Sequence, residues 1–175
     1  MTMHPADTTA ADAVTSKRWR IDPSRSRVEL RVGTWGMGTV KGGFARFHGT
    51  LDLSAQPAIA FTLEGDSLDT GNRRRDEHLR GPDFFDAGTH PYLRFTSETA
   101  TLDGERLIVQ GRLDARAASV PLSFEVMLRG IGDELVVDAQ VDVDHRKLGV
   151  TWNVLRTVRT PSRLLVTGRL VRDED

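Results

Sequence analysis

Residues 67–92 read SLDTGNRRRDEHLRGPDFFDAGTHPY and join two segments that have the alternating pattern of β-strands. This central loop combines Gly, Pro, charged residues and a pair of aromatic residues. A connection of this length inside a compact domain is usually either functional or disordered. The apolar residues Leu79, Phe84 and Phe85 argue against a solvated linker. We therefore predict an ordered loop with a functional role.

The local chemistry predicts a short helix inside the central loop, of one or two turns. Asn72 or Thr70 can cap its N-terminus, because their side chains accept hydrogen bonds from free backbone N–H groups. The helix is expected to end at Gly81-Pro82, since proline cannot continue a helix and restricts the residue before it. Leu79 is then expected to point toward the interior of the protein.

Outside the central loop, apolar and polar residues alternate with the period of two that is typical of β-strands. Val28, Leu30 and Val32, for example, alternate with charged residues. Comparable segments follow at residues 44–53, 59–63, 93–95, 107–113, 120–128, 135–143 and 164–170. Strands with one apolar and one polar face, joined by short turns, predict an antiparallel sheet that is closed or folded on itself.

Periodicity alone leaves both a sandwich and a barrel open. We predict an all-β fold, an eight-stranded antiparallel barrel with a short helix in the long central loop, because closure removes the exposed edges that so many strands would leave. The interior of such a barrel either fills with side chains or holds one small ligand. Which of the two applies decides the function.

Composition limits the classes of partner. The chain has 175 residues, which fits one domain. Its 24 Lys and Arg against 25 Asp and Glu give a net charge of -1, so no overall field attracts nucleic acid or an anionic membrane. There are no cysteines, which excludes disulfides and Cys-based zinc sites. We expect no nucleic-acid partner.

The ends of the chain predict the domain layout. Residues 1–17 are expected to form a disordered tail, and residues 18–173 the barrel domain. The tail lacks the apolar segment of a secretory signal, and no apolar run reaches the length of a membrane span. We therefore expect a cytoplasmic protein with no stable membrane insertion.

Seven short motifs occur in a fixed order: WRIDP at 19–23, GFARFHG at 43–49, DTGN at 69–72, RDEHL at 75–79, DFFD at 83–86, HPYLRF at 90–95 and GRL at 111–113. In order and spacing they resemble the YceI-like family. That family comprises small lipocalin-like barrels that bind polyisoprenoids, so the resemblance implies a lipocalin-like, lipid-binding barrel. It also suggests a homodimer. Many relatives are exported, and the expected cytoplasmic location departs from that pattern.

The inward faces of the predicted strands are aliphatic with a few aromatic residues, and composition alone favours a filled core. Small residues on these faces are expected to leave volume that larger neighbours fill or that a ligand can occupy: Gly43, Ala45, Gly111, Ala139 and Gly168. The family resemblance favours a long apolar cavity. Its expected lining is Trp35, Phe44, Phe61, Leu79, Phe84, Phe85, Phe95, Phe124 and Trp152.

The central loop also carries polar residues suited to a lipid head group. Arginines near a helix N-terminus can hold a phosphate through forked donors and free backbone N–H groups, so a pyrophosphate head would fit. The alternative is structural, with the same side chains tying the loop to the barrel rim. The candidate head-group residues are Asn72, Arg75, Asp76 and His78.

Metal and catalytic signatures are weak. His48, His78, His90 and His145 do not have the spacing of a metal site, and there is no nucleophile elbow. We expect no metal, no cofactor and no catalytic residues.

The leading hypothesis is a protein that is not an enzyme. It would bind a long-chain polyisoprenoid or similar amphiphilic lipid in the barrel interior, for carriage, storage or sequestration. One alternative is an enzyme acting on an isoprenoid lipid, with His78 and Asp76 as acid and base. The other is a ligand-free barrel that interacts with another protein chain.

Overall fold

The computed structural model describes residues 18–34, 38–149 and 162–173. Within these ranges the strands are β1 (Arg18–Ile21), β2 (Arg27–Thr34), β3 (Gly38–Phe44), β4 (Phe47–Asp52), β5 (Ala58–Glu64), β6 (Leu68–Asp69), β7 (Tyr92–Asp103), β8 (Arg106–Ala115), β9 (Ala118–Ile131), β10 (Glu134–Val143) and β11 (Ser162–Arg172). The α-helix α1 spans Arg73–Arg80, and 3-10 turns span Pro23–Arg25, Gly65–Ser67 and His145–Leu148. No helix in these ranges has the length and apolar character needed to cross a membrane. The predicted tail, Trp35 and Trp152 lie outside the described residues.

The sheet closes on itself. In the described part of the chain, the strands pair antiparallel in the order β1-β4-β5-β7-β8-β9-β10-β11, and β11 pairs back onto β1. Farther along, β11 pairs with β2, where Val166 lies opposite Val28. A closed ring leaves no long unpaired edge. The predicted eight-stranded antiparallel barrel with a short helix in the central loop is therefore confirmed.

Three barrel positions, among the described residues, are each formed by two strands in line: β1 with β2, β3 with β4, and β5 with β6. The breaks fall at residues 22–26, 45–46 and 65–67. The sequence marks the second break, because Phe44 and Phe47 are both buried although they lie three residues apart. An unbroken strand would turn them to opposite faces.

Serine hydroxyls replace backbone hydrogen bonds that these breaks interrupt. The Ser67 hydroxyl donates to the Glu64 carbonyl at 2.7 Å and accepts from the Arg46 N–H at 3.1 Å. At the first break, the Ser26 hydroxyl accepts from the Arg169 N–H at 3.0 Å. An unpaired buried backbone group lowers the stability of the fold by about 1–3 kcal/mol. The serine hydroxyls avoid this loss because they supply hydrogen bonds at the breaks.

One end of the barrel is packed with large side chains, and we call the opposite end the mouth. The residues at the packed end that are at most 2% exposed are Trp19, Leu107, Leu128 and Leu135. Each such side chain contributes about 1.5–3 kcal/mol through burial. Helix α1 and the turn at His145–Leu148 lie at the mouth, beside the ends of β2, β8 and β10. Buried side chains thus fill one end of the barrel, and the mouth is the end where a ligand site can form.

Two predicted gaps in the interior are in fact filled. At Gly111, a Cβ atom would lie 2.3 Å from the Thr96 carbonyl oxygen and 2.7 Å from the Phe95 ring. At Gly168, it would lie 3.0 Å from Ile21 Cδ1. Of the two expected outcomes, the first therefore holds at Gly111 and Gly168, because neighbouring side chains and backbone occupy that volume and leave none for a ligand.

Two further small residues do not face the interior. Ala45 is exposed at the break between β3 and β4. Gly43 precedes the buried Phe44 on β3, so the alternation of the strand turns it outward. The prediction that Gly43 and Ala45 lie on the inward faces is therefore wrong.

Gly111→Ala should therefore destabilise the protein by about 1–3 kcal/mol, because the added methyl group would press against the backbone of β7. The control is Gly43→Ala, whose Cβ atom would lie 3.8 Å from its nearest neighbour, the Val28 carbonyl oxygen. We expect Gly43→Ala to change stability by less than about 0.5 kcal/mol. Urea unfolding measures the free energy of unfolding of both variants. Equal stability of the two variants would contradict the close packing of Gly111 against the backbone of β7.

Candidate functional site

Two apolar cavities lie inside the barrel in the described part of the chain. The inner cavity, about 120 Å³ in volume, lies midway between the packed end and the mouth. Phe61, Phe95 and Phe124 line it, and the ring centroids of Phe95 and Phe124 are 5.0 Å apart. Ala139 lines it as well, in agreement with the predicted small residue at that position. Its walls are almost entirely hydrocarbon.

The outer cavity lies at the mouth and has a volume of about 360 Å³. Phe44, Leu79, Phe84 and Phe85 line it beneath α1 and the segment that follows the helix. The Phe44 and Phe85 rings meet edge to face with centroids 6.0 Å apart. A volume of roughly 300–1,000 Å³ is typical of pockets that bind small molecules. The outer cavity is therefore large enough to hold part of a ligand.

The two cavities share three lining residues, and we call this position the neck. Leu93, Leu113 and Leu164 line both of them, on β7, β8 and β11. The cavities therefore follow each other along the barrel rather than lying on separate faces. A hydrocarbon chain too long for the outer cavity would have to pass these three leucines to reach the middle of the barrel.

Local hydrogen bonds hold the start of α1 over the mouth. The Asn72 side chain accepts from the Arg75 N–H at 3.0 Å, which confirms Asn72 as the helix cap. Asp76 is buried, and its Oδ1 accepts from both the N–H and the hydroxyl of Thr70, at 2.9 and 2.5 Å. The helix is therefore pinned to the strand that leads into it.

The segment after α1 folds back onto the helix. The Phe85 N–H donates to the Leu79 carbonyl at 3.0 Å, and the Ala87 N–H donates to the Arg80 carbonyl at 2.9 Å. Arg80 in turn donates through Nη2 to the Leu68 carbonyl at 2.5 Å. These bonds give the central loop a defined path and bring Phe84 and Phe85 over the cavity.

Two arginines and two histidines interrupt the largely apolar lining of the outer cavity. Its ionisable residues, among those that the structure describes, are Arg75, His78, Arg116 and His145, and none is acidic. Arg75 donates to the Thr70 hydroxyl at 2.7 Å and to the Thr70 carbonyl at 2.9 Å, which are neutral acceptors. The mouth therefore favours a ligand that carries negative charge or hydrogen-bond acceptors at one end.

His145 and Ser162 form a polar pair in the wall of the outer cavity, with Nδ1 and Oγ 2.9 Å apart. Burial lowers the pKa of His145 from its ordinary value of 6.5, and the neighbouring Asp144 carboxylate opposes that shift. The sequence analysis did not identify this pair as part of the site. Its members are 17 residues apart, and only the register of β10 against β11 brings them together.

The structure places the predicted cavity residues as follows: Phe44, Leu79, Phe84 and Phe85 at the outer cavity, Phe61, Phe95 and Phe124 at the inner one, and Trp35 and Trp152 outside the described residues. Of the predicted head-group residues, Arg75 and His78 line the outer cavity. Asn72 and Asp76 do not line it, because their side chains hold the helix and Thr70. Ligand binding by all these residues stays a prediction.

The enzyme alternative assigns His78 and Asp76 as acid and base, but the two side chains contact different partners. Asp76 is hydrogen-bonded to Thr70, whereas His78 Nε2 lies 3.6 Å from an Asp83 carboxylate oxygen and its ring packs against Phe84. Within the described ranges, no group of three or more His, Asp or Glu side chains could hold a metal ion.

Fold and site together define a small antiparallel β-barrel with one packed end, a hollow apolar interior and a helix across its mouth. The family model of the YceI-like domain matches residues 19–171. The chain therefore belongs to the YceI-like family, and the resemblance seen in its motifs is confirmed.

Curated relatives match part of the chain. Protein YceI of Escherichia coli O157:H7 is 32% identical over 111 residues, which are 61% of this chain and 58% of that protein. The UPF0312 protein ECA1782 of Pectobacterium atrosepticum is 30% identical over 111 residues, which are 61% of this chain and 58% of that protein. The matched region thus spans little more than half of the length of these relatives.

Solved structures share the fold. BcnA of Burkholderia cenocepacia superimposes with a TM-score of 0.78 at 18% identity, covering 85% of this chain and 98% of that one. A structure described as a polyisoprenoid binding domain from Saccharophagus degradans, implicated in plant cell wall breakdown, gives 0.74 at 11% identity, covering 89% and 98%. At these identities the likeness extends to the fold alone.

Asp76→Ala should lower the free energy of unfolding by about 1–3 kcal/mol, because it leaves the Thr70 N–H without its acceptor. The matched control is Glu77→Ala on the same helix, where an exposed carboxylate pairs with the exposed Arg73. Glu77→Ala should cost less than about 0.5 kcal/mol. Urea unfolding, together with hydrogen exchange at the Thr70 amide, measures the difference. Equal effects of the two variants would contradict the role of Asp76 in holding α1 to Thr70.

His145 should make the protein less stable in acid. Because the pKa of His145 is lowered in the folded state, the unfolded chain takes up its proton first as the pH falls below 6.5, and stability is lost from there downward. His145→Gln should therefore reduce the loss of stability between about pH 7.5 and about pH 5. An NMR titration of the His145 ring protons with a midpoint at or above 6.5 would contradict this expectation.

Proposed function

We propose that the protein binds a long-chain polyisoprenoid or a similar amphiphilic lipid, with the tail inside the barrel and the head at the mouth, for carriage, storage or sequestration. The observation that carries the proposal is the pair of apolar cavities that share the lining residues Leu93, Leu113 and Leu164. Membership of the YceI-like family supports it. So does the fold shared with the polyisoprenoid binding domain of Saccharophagus degradans.

Apolar burial can supply the affinity for the tail. Each buried CH₂ contributes about 0.8 kcal/mol, so a chain of several isoprene units gains more than the roughly 4–15 kcal/mol that association costs. A short chain would fit within the outer cavity, whose volume is about 360 Å³. A longer chain would have to pass the neck and enter the inner cavity. Affinity should therefore increase with chain length until the inner cavity is filled.

The head group would remain at the mouth, where the lining is basic. Arg75 and Arg116 form no ion pair with a carboxylate among the described residues, so their charges are available to a ligand. A phosphate, diphosphate or carboxylate would gain charge-assisted hydrogen bonds there. This arrangement orients the ligand with its tail toward the packed end.

The neck gives a direct test with prenyl probes. Leu164→Trp should fill the neck and weaken binding of the C20 probe geranylgeranyl diphosphate by about tenfold or more, which corresponds to about 1.4 kcal/mol. Binding of the C10 probe geranyl diphosphate should change by less than about threefold, because the short chain stays in the outer cavity. Isothermal titration calorimetry measures both affinities.

Leu165→Trp is the matched control, because Leu165 follows Leu164 on β11 and lines neither cavity. It should bind both probes as the wild type does. If Leu164→Trp bound the C20 probe with wild-type affinity, the tail would not pass the neck. If the wild type bound neither probe, the proposed function would fail for prenyl diphosphates.

A further inference from the structure

The turn between β8 and β9 holds an arginine in an unusual backbone conformation. Its two residues, Arg116 and Ala117, have φ values of 52° and 61°. Positive φ at both positions is the pattern of a type I′ hairpin turn, where Asn and Gly are the preferred residues. An arginine followed by an alanine is disfavoured there, because in the left-handed region the Cβ atom of each residue lies too close to the following carbonyl oxygen. Sparsely populated backbone conformations of this kind occur more often at binding sites than elsewhere.

The Arg116 side chain reaches the segment that covers the mouth. Its Nη1 donates to the Phe84 carbonyl at 2.6 Å, across a separation of 32 residues. This bond joins the β8–β9 hairpin to the segment that follows α1 and fixes where the guanidinium lies. Within the described residues, it uses one of the five N–H donors that an arginine carries.

Arg116 also lies at a boundary between two environments. It lines the outer cavity, and it lines a more polar surface groove of about 400 Å³ on the other side of the hairpin. His90, Arg94 and Asp114 line the same groove. A ligand whose tail fills the barrel would have its polar end at this boundary.

The other basic residues of the outer cavity are more fully engaged. Arg75 donates hydrogen bonds through Nε and Nη2 to Thr70. His145 is bonded to Ser162, and His78 lies beside the Asp83 carboxylate. Arg116 keeps the largest number of donors for a ligand among these described side chains.

We propose that Arg116 is the residue that selects the head group, by binding an anionic phosphate, diphosphate or carboxylate at the boundary between the outer cavity and the groove. The inference rests on the proposed lipid-binding function and names the residue that gives it head-group specificity. The bond to the Phe84 carbonyl positions the guanidinium before the ligand arrives. An anion then gains charge-assisted, forked hydrogen bonds, whereas an alcohol gains a neutral one.

The test compares two probes with the same C20 tail, geranylgeranyl diphosphate and geranylgeraniol. Arg116→Asn removes the guanidinium, and Asn tolerates positive φ, so the turn and the fold should be retained. We expect the diphosphate to bind about tenfold or more weakly and the alcohol to change by less than about threefold. Arg116→Lys should fall between Arg116→Asn and the wild type, because it keeps the charge and loses the fork.

Arg112→Asn is the matched control, because Arg112 lies on the same hairpin and donates to Ser119 without lining either cavity. It should bind both probes as the wild type does. Equal losses of diphosphate and alcohol in Arg116→Asn, or no loss of either, would overturn the role of Arg116. In both cases the wild type still binds, so the proposed function stands. Failure of the wild type to bind either probe would instead contradict the proposed function itself.

Discussion

The structure depends on the backbone pairing that closes the barrel between the last strand and the first two. β11 pairs with β1 at Leu170 and Ile21, and with β2 at Val166 and Val28. Without this seam, β1, β2 and β11 would expose edges, and the apolar faces of the strands would have no shared interior. The seam joins segments more than 130 residues apart, so the interior exists only once the whole chain has folded. The neck residue Leu164 lies on the same closing strand.

Side-chain size then determines where the interior is filled and where it is hollow. Trp19, Leu107 and Leu135 close the packed end. Toward the mouth, aliphatic and aromatic side chains line the outer cavity, and α1 with Phe84 and Phe85 covers the opening. The basic groups are at the mouth, and the inner cavity has none among its described lining. One polar end and a long apolar interior match the two halves of an amphiphile, and this division carries the functional argument.

Much of this arrangement could be predicted from local patterns. The period-two alternation predicted the strands, Asn72 and Gly81 bounded the helix, and Phe84 and Phe85 of the central loop lie at the outer cavity. What could not be predicted depends on contacts across strands. The backbone of β7 takes the volume beside Gly111, and register alone brings His145 to Ser162. Arg116 gave no local signal, because a two-residue turn is usually recognised by Asn-Gly. Cavity volume is likewise a property of the closed barrel and not of any segment.

The most direct test of the central claim is native mass spectrometry of the protein purified from its own cells without detergent. We expect a species heavier than the apoprotein by the mass of one apolar lipid, which is released when the barrel is unfolded. Analysis of the released compound would identify its tail and head. A clean apoprotein mass in repeated preparations, together with no binding of added prenyl lipids, would contradict the claim that the hollow barrel holds a ligand.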